Sequence, residues 1–138
     1  MSNAADLIRG LYQAFAAGDV PAVLAAMDPA IEWREADGVA YADGNPYVGP
    51  QAVLNGVFMR LATEWDGFAV TLEEILDAGD AVVATGTYTG KYKATGRSLR
   101  AQFAHVWKLR AGKIVGFQQY TDTAQYSAVM QASQSARV

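Results

Sequence analysis

Residues 103–123, FAHVWKLRAGKIVGFQQYTDT, hold two alternating stretches on either side of a glycine turn, and how they alternate decides the fold. Counting back to Leu99, one strand face carries Leu99, Ala101, Phe103, His105, Trp107 and Leu109. The other carries Arg100, Gln102, Ala104, Val106 and Lys108. The only histidine of the chain therefore stands on an apolar face, either as a satisfied core residue or as a reactive group in a pocket. The turn LRAGK sets which residues of the next strand join it. A two-residue Ala-Gly turn would bring Gln118, Tyr120 and Asp122 to the face of His105. A type I turn with Gly112 in a left-handed bulge would bring Val115, Phe117, Gln119 and Thr121 there. The second is preferred, because Ala-Gly is a poor type I′ pair and Val115 and Phe117 match the apolar neighbours of His105.

Upstream, FAVTLEEIL and AVVATGTYTGKYK continue the β pattern back to Phe68, with glycine-containing turns between strands. The first half is different. Leu7, Ile8, Leu11, Tyr12 and Phe15 recur at helical spacing, and Gly18 is a natural stop. Asp19 can cap a second helix with Pro21 in its first turn. IEWRE, 31–35, alternates as a strand, and the following Gly- and Pro-rich stretch to Pro50 reads as an irregular loop with Tyr41 and Tyr47 to pack it as a lid. A third helix from Pro50 presents Val53, Leu54, Val57, Phe58 and Leu61. The expected order is ααβαββββ: one α+β domain over 1–138, helical over about 4–66 and mostly sheet over 68–122. A cone-shaped, curved antiparallel sheet would pack on the N-terminal helices and leave an apolar interior open at one end.

Composition narrows the function. The 138 residues carry a net charge of −3, and 18% are charged. No apolar run reaches the length of a membrane span, the N-terminus lacks a leader pattern, and a cytoplasmic location is expected. Without cysteine, disulfides, thiolate metal sites and a cysteine nucleophile are excluded. One histidine is too few for a metal site, so neither metal nor cofactor is expected. Lys91, Lys93, Arg97, Arg100, Lys108, Arg110 and Lys113 form a basic stretch, but the strand between them separates its two ends by roughly 35 Å. They read as solvated hairpin ends, and no nucleic-acid partner is expected.

The segments AFAAGDVPAVLAAMDPAIEW, GPQAV, AGDAVVATGTYTG and HVWKLRAGKIVGFQQYTDT resemble the nuclear transport factor 2-like superfamily, within it the polyketide cyclase-like and ketosteroid isomerase-related proteins. The resemblance covers roughly residues 5–125 and implies the cone fold, a homodimer formed through the outer sheet face (Val83, Val106, Tyr120), and a pocket histidine. By position, Tyr12 stands where the isomerase carries a helix-one tyrosine donor. That enzyme's general-base aspartate falls near Trp33, with Glu35 one alternation further on. Its oxyanion carboxylic acid falls near Ala104 or His105, and the cyclase-like acid/base aspartate falls at about Gln119. The pattern is thus altered at most of its functional positions.

The candidate catalytic residues are His105, Glu35, Gln119, Tyr12 and Asp122. Glu35 shares parity with Ile31 and Trp33, so it is either a desolvated carboxylate at the cavity edge or an exposed strand end. Tyr12 is a donor into the cavity or a core tyrosine with its tip in water. Asp122, three residues before Gln125, either caps a C-terminal helix or stands at the pocket mouth. Trp33, Tyr41, Phe58 and Phe103 are expected to supply walls, together with Trp107, Phe117 and Tyr120. The functional expectation is a pocket for a small apolar molecule. Either an isomerase or cyclase-type enzyme transfers a proton α to a carbonyl there, with His105 or Glu35 as base, or a non-catalytic binding or dimerisation module of the same fold uses it.

Overall fold

A computed structural model describes residues 3–131; residues 1–2 and 132–138 of the expected domain lie outside the described residues. Helix α1, Asn3–Ala16, buries Ile8 and Leu11 and stops before Gly18, whose φ of 75° favours a residue without a Cβ. Asp19 caps α2, Val20–Ala25, by accepting the backbone N–H of Ala22 at 3.2 Å. Strand β1 is Met27–Arg34, and the expected lid is more ordered than a loop. It contains a 3₁₀ turn, Ala40–Gly44, and a two-residue strand β2, Tyr47–Val48, paired to β1 through Trp33 and Tyr47. Tyr41 and Tyr47 are both buried, so the segment is a packed wall.

The third helix is three pieces: α3, Pro50–Val53; a π-helical turn, Leu54–Phe58; and α4, Met59–Glu64. The Met59 N–H reaches the Leu54 carbonyl, five residues back, and the extra residue turns the consecutive side chains of Val57 and Phe58 both inward. Four long strands follow: β3, Trp65–Asp77; β4, Ala81–Tyr92; β5, Ser98–Arg110; and β6, Lys113–Thr121. A short helix α5, Thr123–Met130, closes the described chain. Among the described residues no helix is long and apolar enough to cross a membrane.

The sheet order is β2-β1-β6-β5-β4-β3, a six-stranded, unclosed sheet that curves around the N-terminal helices. The α+β architecture agrees with expectation, while β1 corrects the all-antiparallel picture: it runs parallel to β6. The helices between β1 and the meander allow this, since a parallel neighbour needs a long connection. Two register shifts in β3, between Asp66 and Ala69 and between Leu72 and Glu74, bend that edge strand.

The turn between β5 and β6 combines parts of both expected geometries. Ala111 (φ 52°) and Gly112 (φ 77°) form a two-residue turn with Arg110 opposite Lys113. The extra residue falls afterwards, at Val115, because Lys108 faces Gly116 while Leu109 faces Ile114. Phe117 and Gln119 thus lie opposite Trp107 and His105, as expected. Val115 does not take the inward place expected of it: Ile114 is fully buried instead, and its N–H donates to the Ala26 carbonyl at 3.0 Å.

Candidate active site

The inner faces of β5 and β6 meet α1, the π-helical turn and α4 around a cavity of about 60 Å³. Its walls draw on two apolar clusters, one around Leu11, Trp33, Phe58, Trp107 and Phe117, the other including Tyr88 and Tyr126. Phe15, Phe58, Leu61 and Phe68 also line a second cleft on the side of β3. The polar groups lining the cavity are Tyr12, Glu35, Tyr88, His105, Gln119 and Tyr126.

The β5 alternation places His105 inward at 5% exposure, stacked on Phe103 at 4.1 Å between ring centroids and met edge-on by Phe117 at 4.9 Å. Burial in this aromatic setting pushes its pKa down to about 3, so the imidazole is neutral near pH 7. Both ring nitrogens are engaged: Nδ1 by the Tyr12 hydroxyl at 2.5 Å, Nε2 by the Tyr88 hydroxyl. The Tyr12 oxygen also accepts the Trp107 indole N–H at 3.0 Å. Gln119 donates its amide N–H to the Tyr88 oxygen at 2.9 Å, and its own carbonyl accepts the Ala36 backbone N–H at 3.0 Å. Burial raises the pKa of both tyrosines, so their hydroxyls stay protonated.

Glu35 follows the last residue of β1 and is 4% exposed. Of its two sequence readings, the structure takes the buried one. The Asn45 side chain clamps its backbone, accepting the Glu35 N–H at 2.9 Å and donating to the Glu35 carbonyl at 2.7 Å. The Trp33 indole donates to Oε2 at 2.8 Å. Desolvation raises the carboxyl pKa to about 7, against the smaller opposing effects of Trp33 and the Arg60 charge. Its negative charge in turn helps to raise the pKa values of Tyr88 and Tyr126.

Tyr12, Glu35, His105 and Gln119 are therefore brought together, and Trp33, Phe58, Trp107 and Phe117 stand among the walls. Phe103 backs the histidine as a stacking partner. Three expected residues are elsewhere. Asp122 is exposed and caps α5 by accepting the Gln125 N–H at 3.2 Å, which corrects its place at the pocket mouth. Tyr120 is 56% exposed, because its parity with Gln118 turns it to the outer sheet face, which corrects its assignment to the pocket wall. Tyr41 is buried outside the cavity, donating to Glu64 at 2.6 Å and accepting the Trp65 indole N–H at 2.9 Å. The sequence reading missed Tyr88 and Tyr126. The first was signalled by Val82, Ala84, Gly86 and Tyr88, a row of small residues ending in one large hydroxyl-bearing ring. Among the described residues no three His, Asp or Glu side chains converge in a way that could hold a metal.

A family model for the SnoaL-like domain matches residues 8–117. A crystal structure of an NTF2-like protein from Burkholderia thailandensis is 40% identical, covers 95% of this chain and 99% of its own, and superposes with a TM-score of 0.90. TerC, co-crystallised with polyporic acid, is 24% identical over 91% of this chain and 96% of its own, with a TM-score of 0.80. IdmH from Streptomyces antibioticus, described as a proposed polyketide cyclase, is 21% identical over 94% of this chain and 99% of its own, with a TM-score of 0.76. At these last two identities the agreement is one of fold. No curated protein matches the chain. Family model, sheet topology and the first of these structures agree, and the chain belongs to the SnoaL-like family of the NTF2-like superfamily.

Proposed function

We propose that the cavity takes an apolar small molecule carrying a carbonyl and that Glu35 moves a proton at the carbon α to it. The observation that carries this reading is a buried carboxyl, its pKa raised by desolvation to about 7, in the wall of a cavity lined, Gln119 apart, by rings and aliphatic side chains. A general base works best when its pKa lies near the working pH, and desolvation supplies that here. As the α C–H bond breaks, the proton goes to the Glu35 carboxylate and the electron pair moves onto the carbonyl oxygen. A tyrosine hydroxyl of the cavity donates to that oxygen, and the proton then returns to carbon. His105, with its pKa pushed down to about 3 and both nitrogens engaged, is a poor base by comparison. That TerC crystallises with a small organic molecule in the same fold supports a small-molecule ligand here.

The test is deuterium exchange at the α-carbon of apolar ketones and enones, followed by NMR in heavy water. Glu35→Gln should slow exchange by at least roughly 10²-fold. Exchange at the uncatalysed rate with every ketone and enone would sink the enzymatic reading. The alternative, binding without chemistry, is favoured by one observation: no buried side-chain polar atom among the described residues lacks a hydrogen-bond partner. Under that reading Glu35→Gln changes affinity alone. We also propose a homodimer through the outer face, where Val83 pairs with Val106 in register and Tyr120 stands exposed beside them. Sedimentation as a monomer would reject it.

A further inference from the structure

The hydrogen bonds around His105 form a chain whose two ends are fixed and whose middle is not. At one end the Trp107 indole N–H can only donate, and the Tyr12 oxygen receives it. At the other, the Ala36 N–H occupies the Gln119 carbonyl, which turns the amide nitrogen toward Tyr88 and makes the Tyr88 oxygen an acceptor. Between these ends lie two contacts, Tyr12 to Nδ1 and Tyr88 to Nε2. Three protons are available for them: one on each hydroxyl and one on the imidazole, which is singly protonated with its pKa pushed down to about 3.

The surplus proton has two places to be. If the imidazole proton sits on Nε2, it donates to Tyr88, Tyr12 donates to Nδ1, and the Tyr88 proton is left over. If it sits on Nδ1, it donates to Tyr12, Tyr88 donates to Nε2, and the Tyr12 proton is left over. Both hydroxyl-bearing residues line the cavity.

We propose that His105 is a positioning residue whose tautomer decides whether Tyr12 or Tyr88 offers the spare hydroxyl proton of this chain to an acceptor oxygen on the bound molecule. The inference rests on the reading of the cavity as a ligand site. It adds that two different positions of the acceptor oxygen are served by one set of side chains, through movement of protons alone. It also gives Gln119 a function that needs no proton exchange of its own, since its fixed amide keeps Tyr88 an acceptor.

The experiment is long-range proton–nitrogen NMR on protein labelled with ¹⁵N at histidine, in which the single imidazole gives an unambiguous signal. A buried N–H is rarely left without an acceptor. Tyr12→Phe should therefore drive the proton to Nε2, and Tyr88→Phe should drive it to Nδ1. The same tautomer in both variants, or a doubly protonated ring in the unaltered protein at pH 7, overturns the proposal. The latter outcome needs no variant to fold.

The ligand arm uses 2-acetylnaphthalene against naphthalene, which differ by one acceptor group. The unaltered protein and each single variant should prefer the ketone by roughly 2- to 12-fold, the value of one net hydrogen bond. Adding the ketone to the unaltered protein should move the imidazole nitrogen signals toward one tautomer while naphthalene leaves them in place; identical signals with both probes mean that the spare proton is not what the ketone reads. If neither probe binds the unaltered protein, the cavity's role as a ligand site fails, and proton delivery with it. The tautomer data then retain or reject the switch on their own.

Discussion

The indole of Trp33 donates to Oε2 of Glu35 at 2.8 Å, two residues along the same chain, and both side chains are buried. The same-face spacing that puts Trp33 in the core also brings its N–H to the carboxylate. The bond favours the charged form and partly opposes the desolvation that raises the carboxyl pKa. Trp33→Phe should push the Glu35 pKa above 7, read as a later inflection in a carbon NMR titration of that carboxyl.

Glu35 should make the protein less stable as pH rises. Between its ordinary value of 4.5 and about 7, the folded chain holds a proton that the unfolded chain has released. Stability therefore falls across that window and levels off above it, by roughly 3 kcal/mol at about 1.4 kcal/mol per pH unit. Glu35→Gln should remove this contribution, so that in urea unfolding measured from about pH 4 to 8 stability rises with pH up to about 6.5 through His105 and is then level.

His105 works in the opposite direction. Its folded pKa of about 3 lies below the ordinary 6.5, so the unfolded chain binds the proton first and stability is lost as pH falls through that window. Between about pH 4.5 and 6.5 the two slopes offset each other. The imidazole signals should stay flat from about pH 5 to 9; an inflection near 6.5 would mean a solvated ring.

Asp122→Ala should lower stability by about 0.5–2 kcal/mol through loss of the α5 cap and leave probe binding unchanged. Thermal melting and a binding isotherm together check both halves. Weakened binding with unchanged melting would return Asp122 to the pocket.

Gly86→Ala should destabilise the sheet by about 1–3 kcal/mol, measured by urea unfolding. A Cβ at Gly86 would lie 2.1 Å from the Thr71 carbonyl oxygen of β3 and 2.6 Å from Cζ of Phe103, the ring that stacks on His105. A variant as stable as the parent would show that this crossing is loosely packed.

What the sequence determined by itself was what depends on near neighbours: the helical face of Leu7 to Phe15, the Asp19 cap, and the alternation that puts His105 with Phe103 and Trp107. Each follows from a repeat of 3.6 or 2 residues or from a side chain reaching its own backbone. For Asp122 and Glu35 the sequence held two readings open, because whether a strand-end carboxylate meets water or a cavity depends on what packs over it. Only the tertiary structure decided that Asn45 clamps Glu35 from ten residues away and that β1 runs parallel to β6. It also placed Tyr12 and Tyr88, 76 positions apart in the chain, on the two nitrogens of one imidazole. The turn at Ala111 and Gly112 shows the boundary between the two. Local chemistry favoured a bulge at Gly112, whereas in the sheet Ile114 pairs beside Met27 of β1, the extra residue falls at Val115, and Gln119 still stands opposite His105. Register in a sheet is set by which side chains the core accepts, and that is a property of the assembled layers.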